Sequence, residues 1–211
     1  MSDRPLLIDA PKDGKPLLTI VLAPGAGALM DSSFMEEMAH ALAAQSIQVI
    51  RFEFPYMRRF RATGARSAPD APDVLQSCWA DVVDQIGWPS NLVIGGKSMG
   101  GRIASMVADR LGVKGLVCMG YPFHPAGNPR VLRVAHLKDL KTPTLILQGT
   151  RDTLGTREEI AGYTLSRSIR VTYLEDGDHS FKPRKSSGRT YDQNMAEAVQ
   201  ETVQFCKSLF T

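Results

Sequence analysis

Between residues 92 and 101 the chain reads Leu92-Val-Ile-Gly-Gly-Lys-Ser-Met-Gly-Gly101. The first three of these residues are apolar and predict a short buried strand, whereas Met99 to Leu111 has the amphipathic spacing of a helix. The pattern G-x-S-x-G, from Gly96 to Gly100, lies between them. A serine at such a sharp strand-to-helix turn exposes its hydroxyl at the edge of a sheet, and the glycines let the turn approach neighbouring backbone. The segment therefore indicates a nucleophilic serine, Ser98.

Two phosphate-binding motifs are nearly present in the chain. Gly96-Lys-Ser98 resembles the end of a P-loop, but Asn91 stands where that motif requires its first glycine. Gly25-Ala-Gly27-Ala-Leu-Met30 resembles a dinucleotide-binding turn, but Met30 replaces the third glycine. Each motif lacks a residue that its mechanism needs, so neither a nucleotide nor any other cofactor is predicted.

The rest of the chain alternates short apolar runs with amphipathic stretches. Apolar strands without strict alternation indicate a sheet that is covered on both faces, and strand–helix alternation indicates parallel strands. We therefore predict one α/β domain over residues 1–211, with a doubly wound, mostly parallel sheet of six or slightly more strands. The other predicted strands are Leu17–Leu22, Ile47–Phe52, Gly115–Met119, Thr144–Leu147 and Arg170–Leu174. The other predicted helices run from Ser33, with a Ser33/Glu36 capping box, to about Gln45, from Asp73 to Ile86 and from Tyr191 to Phe210; long loops are predicted at Pro55–Pro72 and Tyr121–Pro143.

Composition sets broad limits on location and partners. The 211 residues include 25 basic and 22 acidic side chains, and a net charge of +3 is too small to indicate a nucleic-acid-binding protein. Three widely spaced cysteines indicate neither a disulfide framework nor a zinc cluster. The N-terminus has an acidic residue where a signal peptide has basic ones, and its apolar run is too short for one; no apolar run is long enough to span a bilayer. We expect a cytoplasmic protein without a metal, a membrane or a nucleic acid as partner.

A nucleophilic serine needs a base and a carboxylate that orients the base. His179 follows a predicted strand directly and is the expected base, while His40, His124 and His136 lie in a helix or a long loop. Asp152 also follows a predicted strand, and the carboxyl ends of parallel strands meet at one rim of a sheet. Asp152 is therefore the favoured acid; the alternatives are Asp176 and Asp178, which flank Gly177 close to His179.

An oxyanion hole is expected from two backbone amides. The Met99 amide opens the helix after the nucleophile, and the second donor should come from the loop after the first predicted strand. Glycines in that loop permit the backbone to turn its amides inward. Ala26 is the preferred donor, followed by Gly27.

These motifs together resemble the α/β-hydrolases, in particular the compact dienelactone-hydrolase-like branch with its testis-expressed and chromatin-complex relatives. The resemblance extends from about residue 17 to 205 and implies a Ser98–Asp152–His179 triad with Ala26 and Met99 at the oxyanion hole. Dienelactone hydrolases proper use cysteine as the nucleophile, so their substrate is not implied. The matching segments are Pro24–Gly27, Gly95–Gly101, Gly120–Pro125, Gln148–Asp152 and Gly177–Lys182, with Pro24 where many relatives have histidine.

Basic residues cluster in two segments that should border the same rim. Neither segment contains an acidic residue, so an anionic substrate group could find arginine partners there. Candidate substrate contacts are Gly25, Gly27, Arg58, Arg59, Lys97 and Lys182. The basic residues of the two segments are Arg58, Arg59, Arg61 and Arg66, and Lys182, Arg184, Lys185 and Arg189.

The expected activity is hydrolysis of a carboxylic ester or thioester of a small soluble substrate. The chain leaves no room for a separate lid domain, which favours short or water-soluble acyl groups. The alternatives are an acyltransferase that uses the same triad and a non-catalytic scaffold that binds a partner through its basic segments. A protein partner is compatible with the sequence, but no feature indicates one.

Overall fold

A computed structural model describes residues 4–12 and 14–210 of the chain. Residues 1–3, which belong to the N-terminal stretch behind the prediction of no signal peptide, lie outside the described part. Among the described residues, no helix combines the length and the apolar character needed to cross a bilayer.

In the described part of the chain, seven strands form one sheet in the order β1-β3-β2-β4-β5-β6-β7. β1 pairs with β3 in the antiparallel direction, and every other pairing is parallel. The predicted doubly wound, mostly parallel sheet is therefore confirmed, with the short edge strand β1 as an addition. The strands are β1 (Leu7–Asp9), β2 (Leu18–Ala23), β3 (Ile47–Arg51), β4 (Leu92–Lys97), β5 (Gly115–Met119), β6 (Thr144–Gly149) and β7 (Ile169–Leu174).

Within the described ranges, six α-helices connect or flank these strands. They are α1 (Ser33–Ala43), α2 (Pro55–Thr63), α3 (Pro72–Gln85), α4 (Met99–Leu111), α5 (Arg157–Ala161) and α6 (Tyr191–Ser208). The prediction of a loop from Pro55 to Pro72 was wrong in its first half, because α2 occupies it. Pro55 at the first helical position and Gly64 with a φ of 71° at the C-terminal end are the features that bound this helix. The other long loop contains one short 3₁₀ turn, Ala135–Lys138.

The predicted capping box of α1 is not formed. Ser32, not Ser33, is the N-cap residue, and its side chain makes no capping hydrogen bond. Both hydrogen bonds of a capping box are instead present at Thr156 with Glu159 and at Thr190 with Gln193. The pattern S-x-x-E does not by itself show which residue is the N-cap, because the first residue of a helix is uncertain by one or two positions.

Apolar side chains are buried on both faces of the sheet. β2, β4 and β6 have six residues each, and all of these residues are buried, as expected for central parallel strands covered by helices. On one face Phe52 and Trp79 meet edge to face, with ring centroids 4.7 Å apart. On the other face Phe34 meets Phe181 at 5.4 Å. Packing on both faces holds the strands in place, and the strands in turn position the loops at their carboxyl ends.

Candidate active site

Ser98 occupies the single residue between β4, which ends at Lys97, and α4, which begins at Met99. Its backbone has φ 50° and ψ −117°, a conformation that a non-glycine residue rarely adopts. The Ser98 amide donates to the carbonyl of Met119 at 2.9 Å and so ties the turn to β5. Strain held by surrounding contacts is typical of functional sites. The side chain is half-buried.

The glycines around Ser98 allow β4 and α4 to approach β2 closely. A Cβ atom at Gly96 would lie 2.1 Å from the carbonyl oxygen of Ala23, and one at Gly100 would lie 2.2 Å from the same oxygen. Real Cβ atoms do not approach backbone oxygen so closely. Glycine is therefore required at both positions of the G-x-S-x-G pattern for a steric reason.

Asp152 and His179 form a hydrogen-bonded pair at the ends of β6 and β7. His179 Nδ1 lies 2.8 Å from Oδ2 of Asp152, whose side chain is fully buried. The same carboxylate accepts hydrogen bonds from Gln148 Nε2 at 2.8 Å and from the Leu154 amide at 2.9 Å. A carboxylate held in this way keeps the proton on Nδ1 of the imidazole, so that Nε2 is left as the proton acceptor.

The two alternative acids make other contacts. Asp176 accepts hydrogen bonds from Arg184, and the arginine beside it lowers the pKa of this carboxyl to about 2. Asp178 accepts from the amides of Ser180 and Lys182 and thereby closes a turn. Of the three candidate acids, Asp152 is the one that the structure brings to the imidazole of His179.

The remaining histidines lie elsewhere. His40 Nε2 lies 3.3 Å from Asp9, and His124 is buried with Nε2 3.5 Å from Glu159. His136 Nε2 lies 2.8 Å from Ser105 Oγ and forms a second serine–histidine pair. The Ser105 hydroxyl donates to the carbonyl of Arg102 within α4, and burial together with the charge of Arg102 lowers the pKa of His136. No carboxylate of the described residues orients this second imidazole.

Lys97 is buried beneath the candidate base. Its Nζ donates a 2.7 Å hydrogen bond to the carbonyl of His179 and lies 5.5 Å from the ring centre of Phe34. Burial lowers the pKa of Lys97 from 10.5 to about 8, although the charges of Asp152 and Asp178 oppose this effect. The ammonium is thus directed at the backbone of the loop that holds His179.

One cavity of 390 Å³ is bordered by Ser98 together with both predicted oxyanion donors, Ala26 and Met99. Among residues 4–12 and 14–210, neither of these two amides donates a hydrogen bond to another protein group. The alternative donor, Gly27, has its amide 2.9 Å from the Tyr56 hydroxyl, to which it donates. A Cβ at Gly25 would lie 3.4 Å from Cβ of Ser98, so this glycine borders the serine directly.

The predicted basic substrate contacts lie outside that cavity. Arg58 and Arg59 border a separate depression of 640 Å³, and Lys182 is exposed. Much of the basic charge in the two segments is paired with acids from other parts of the chain. The pairs include Arg59 with Asp70, Arg61 with Asp31 and Glu53, Arg184 with Asp176, and Arg189 with Glu197.

Two arginines that the sequence analysis did not single out border the cavity of Ser98. They are Arg102, in the first turn of α4, and Arg133, in the loop after β5. The position of Arg102 one turn after Ser98 was a usable signal, because residues four apart on a helix share a face. No signal in the sequence placed Arg133 there. Among the described residues, no group of three or more His, Cys, Asp or Glu side chains is arranged to hold a metal ion.

Solved structures with the same fold include several hydrolases. A serine hydrolase without a lid from Xanthomonas campestris is 20% identical, with a TM-score of 0.68 over 94% of this chain and 87% of that chain. A dienelactone hydrolase from Anabaena variabilis is 18% identical, with a TM-score of 0.70 over 96% of this chain and 90% of that one. Est1E from Butyrivibrio proteoclasticus with bound ferulic acid is 11% identical, with a TM-score of 0.73 over 96% and 95% of the two chains.

These likenesses show a shared fold. The alpha/beta hydrolase domain model matches residues 16–207, which is most of the chain. The matched range includes the turn at Ser98 and the paired Asp152 and His179. By that match the chain belongs to the alpha/beta hydrolase domain family, as the sequence motifs predicted.

Proposed function

We propose that the chain is a serine hydrolase that cleaves a carboxylic ester or thioester of a small soluble substrate through an acyl-enzyme on Ser98. The observation that carries this proposal is the 2.8 Å contact between His179 and the fully buried Asp152, at the rim where Ser98 also lies. A histidine oriented by a carboxylate beside a serine on a strained turn is the arrangement that activates a weak nucleophile.

The proposed reaction has two halves. In the first, His179 Nε2 takes the proton of Ser98 as Oγ forms a bond to the substrate carbonyl carbon. The resulting oxyanion accepts hydrogen bonds from the amides of Ala26 and Met99. Collapse of this intermediate breaks the bond to the alcohol or thiol, which leaves with the proton from His179. In the second half, water attacks the acyl-enzyme by the same route and releases the acid.

The dimensions of the site favour a small substrate. The cavity at Ser98 has a volume of 390 Å³, at the lower end of the range for small-molecule sites. Four prolines border it, which gives the walls little conformational freedom to lose when a substrate binds. They are Pro69, Pro72, Pro122 and Pro125.

A fluorophosphonate probe tests the proposal directly. We expect one adduct on Ser98, mapped by mass spectrometry, which is lost in Ser98→Ala and greatly slowed in His179→Ala. Ser105→Ala is the matched control, since Ser105 also contacts a histidine but lies within α4. Retention of labelling in Ser98→Ala, or its loss in Ser105→Ala with the fold intact, would contradict the assignment.

The two alternatives give other results. A non-catalytic scaffold would leave the folded protein unlabelled by the probe. An acyltransferase would be labelled like a hydrolase but would release its acyl group faster when a nucleophilic acceptor is added. A pre-formed acyl-enzyme, isolated from a short thioester and followed by mass spectrometry, distinguishes release to water from release to an acceptor.

A further inference from the structure

The cavity beside Ser98 contains basic charge without acidic partners. Arg102 and Arg133 both border it, and among residues 4–12 and 14–210 neither makes an ion pair. Burial, and after it the positive charge of Arg102, lowers the pKa of Arg133. Two cations at one cavity that find no counter-ion among the described residues oppose folding, so a structural role does not explain them.

The Arg102 side chain is also incompletely hydrogen-bonded. Its Nε is shielded from solvent and has no hydrogen-bond partner in the described part of the chain. Buried donors are nearly always paired, and a charged group without partners is the most unfavourable exception. The desolvation of this donor is a cost that no contact within the described residues offsets.

Neighbouring acids do not neutralise this pair. Asp70 is the one carboxylate among the residues that border the cavity. It already accepts the Tyr56 amide at 2.8 Å and forms an ion pair with Arg59. Asp70 is therefore bound to another arginine and does not neutralise Arg102 or Arg133.

Both arginines are held in place by their backbones. The Arg102 amide donates to the carbonyl of Ser98 at 3.0 Å, so this side chain begins one helical turn from the serine. The Arg133 amide donates to the carbonyl of Phe123 at 2.7 Å, and the Tyr121 hydroxyl donates to the Arg133 carbonyl at 2.9 Å. Phe123 and Tyr121 are fully buried. The two cations thus extend from rigid supports.

We propose that Arg102 and Arg133 form an anion-binding subsite next to Ser98, which holds a carboxylate or phosphate group of the substrate while the serine attacks its ester carbonyl. The proposal rests on the hydrolase function proposed above and adds the charge of the substrate to it. Planar guanidinium groups bind carboxylate and phosphate with two parallel hydrogen bonds, which gives both affinity and orientation. The subsite differs from the basic segments at Arg58 and Lys182, which lie outside the cavity of Ser98.

A pair of matched esters tests the charge preference. We expect a kcat/KM for 4-nitrophenyl hemisuccinate that is about 10- to 100-fold higher than that for its neutral methyl ester, as charge-assisted hydrogen bonds would give. The ratio should fall at least tenfold in Arg102→Met and in Arg133→Met. Matched controls are Arg110→Met on the same helix and Arg130→Met in the same loop, since both arginines are exposed and neither borders the cavity. A ratio near one, or a ratio unchanged in both cavity variants, would overturn the subsite.

A binding measurement separates this inference from the proposed catalysis. Ser98→Ala cannot form an acyl-enzyme but keeps both arginines. We expect it to bind monomethyl succinate or methyl phosphate in calorimetric titrations, and the tighter of the two identifies the anion. Binding should weaken at least tenfold when Arg102→Met is added. If Ser98 is not labelled by the fluorophosphonate but this binding is found, the hydrolase proposal fails and the anion site stands. If Ser98 is labelled but no anion binds, the anion site fails and the hydrolase proposal stands.

The melting temperature distinguishes an anion-binding role of Arg102 from a role in stabilising the fold. Removing one of two unpaired and partly buried cations relieves repulsion and desolvation. Arg102→Met is therefore expected to raise the melting temperature while it weakens anion binding. A residue needed for the fold would lower the melting temperature instead, and such a result would contradict the assignment to a ligand.

Discussion

Replacing Lys97 by Met should change how the stability of the protein depends on pH. The Lys97 ammonium is buried and donates a hydrogen bond to the carbonyl of His179 at 2.7 Å. Burial lowers its pKa from 10.5 to about 8. Between these pH values the unfolded chain carries a proton on this lysine that the folded chain has lost. The stability of the native protein must therefore rise with pH across this window.

The size of the effect follows from the pKa values. At about 1.4 kcal/mol per pH unit, a fall from 10.5 to about 8 corresponds to roughly 3 kcal/mol, of which about 2 kcal/mol is gained between pH 7 and 9.5. Met fills a similar volume and does not titrate. The free energy of unfolding of the native protein, minus that of Lys97→Met, should therefore increase by about 2 kcal/mol from pH 7 to 9.5.

Urea unfolding followed by tryptophan fluorescence, to which the buried Trp79 and the exposed Trp88 contribute, measures this difference at each pH. Lys114→Met is the matched control, because Lys114 is exposed and its removal changes the net charge equally. A stability difference for Lys97→Met that stays constant with pH, or that falls as pH rises, would refute the reasoning. A parallel rise in Lys114→Met would attribute the effect to net charge instead.

Three further predictions concern the site and its supports. Gly100→Ala should lower the free energy of unfolding by about 3 kcal/mol or more, because the new Cβ would lie 2.2 Å from the Ala23 carbonyl oxygen. The control for urea unfolding is Gly162→Ala, whose new Cβ would have its nearest contact at 3.4 Å. Equal losses of unfolding free energy in the two variants would contradict the prediction. Asp152→Asn should slow fluorophosphonate labelling about 10³- to 10⁴-fold with little change in fold, and labelling at an unchanged rate would remove Asp152 from the triad. Thr190→Ala should lower the unfolding free energy by about 1 kcal/mol by removing the capping box of α6, with no effect on labelling.

The contact between Asp152 and His179, and the position of Ser98 directly after a strand, were predictable from sequence. Each residue follows an apolar run, and parallel strands bring their carboxyl ends to one rim whatever the sequence distance between them. The choice of Asp152 over Asp176 also followed from this rule. It is consistent with the structure, where Asp152 contacts His179 and Asp176 contacts Arg184.

Other features could not be read from local patterns. The edge strand β1 has three residues, too few for a periodic signal. Helix α2 carries several arginines and has just two buried side chains, Tyr56 and Met57, so its sequence resembles a polar loop. In both cases tertiary contacts, not intrinsic preference, provide the stability of the element.

The ion pairs of the arginines are the feature that the sequence predicted least well. The segment from Arg58 to Arg66 contains no acidic residue, so its sequence suggests unpaired basic charge. In the structure, Asp31, Glu53 and Asp70 form ion pairs with arginines of this segment from other parts of the chain. Arg102, by contrast, lies in a helix that contains an aspartate, Asp109. That carboxylate lies near the far end of α4 and accepts hydrogen bonds from Thr142, so Arg102 finds no counter-ion in the part of the chain that the structure describes.

An arginine-rich segment in the sequence is therefore a weaker indication of ligand charge than two arginines that the fold leaves unpaired. Ion pairs on the surface contribute little to stability and form readily between mobile side chains. A cation that is partly buried beside a cavity does not acquire a partner in this way, and it destabilises the protein until a ligand supplies the charge. For this reason we place the anion of the substrate at Arg102 and Arg133, and the experiments with charged and neutral esters address these two residues.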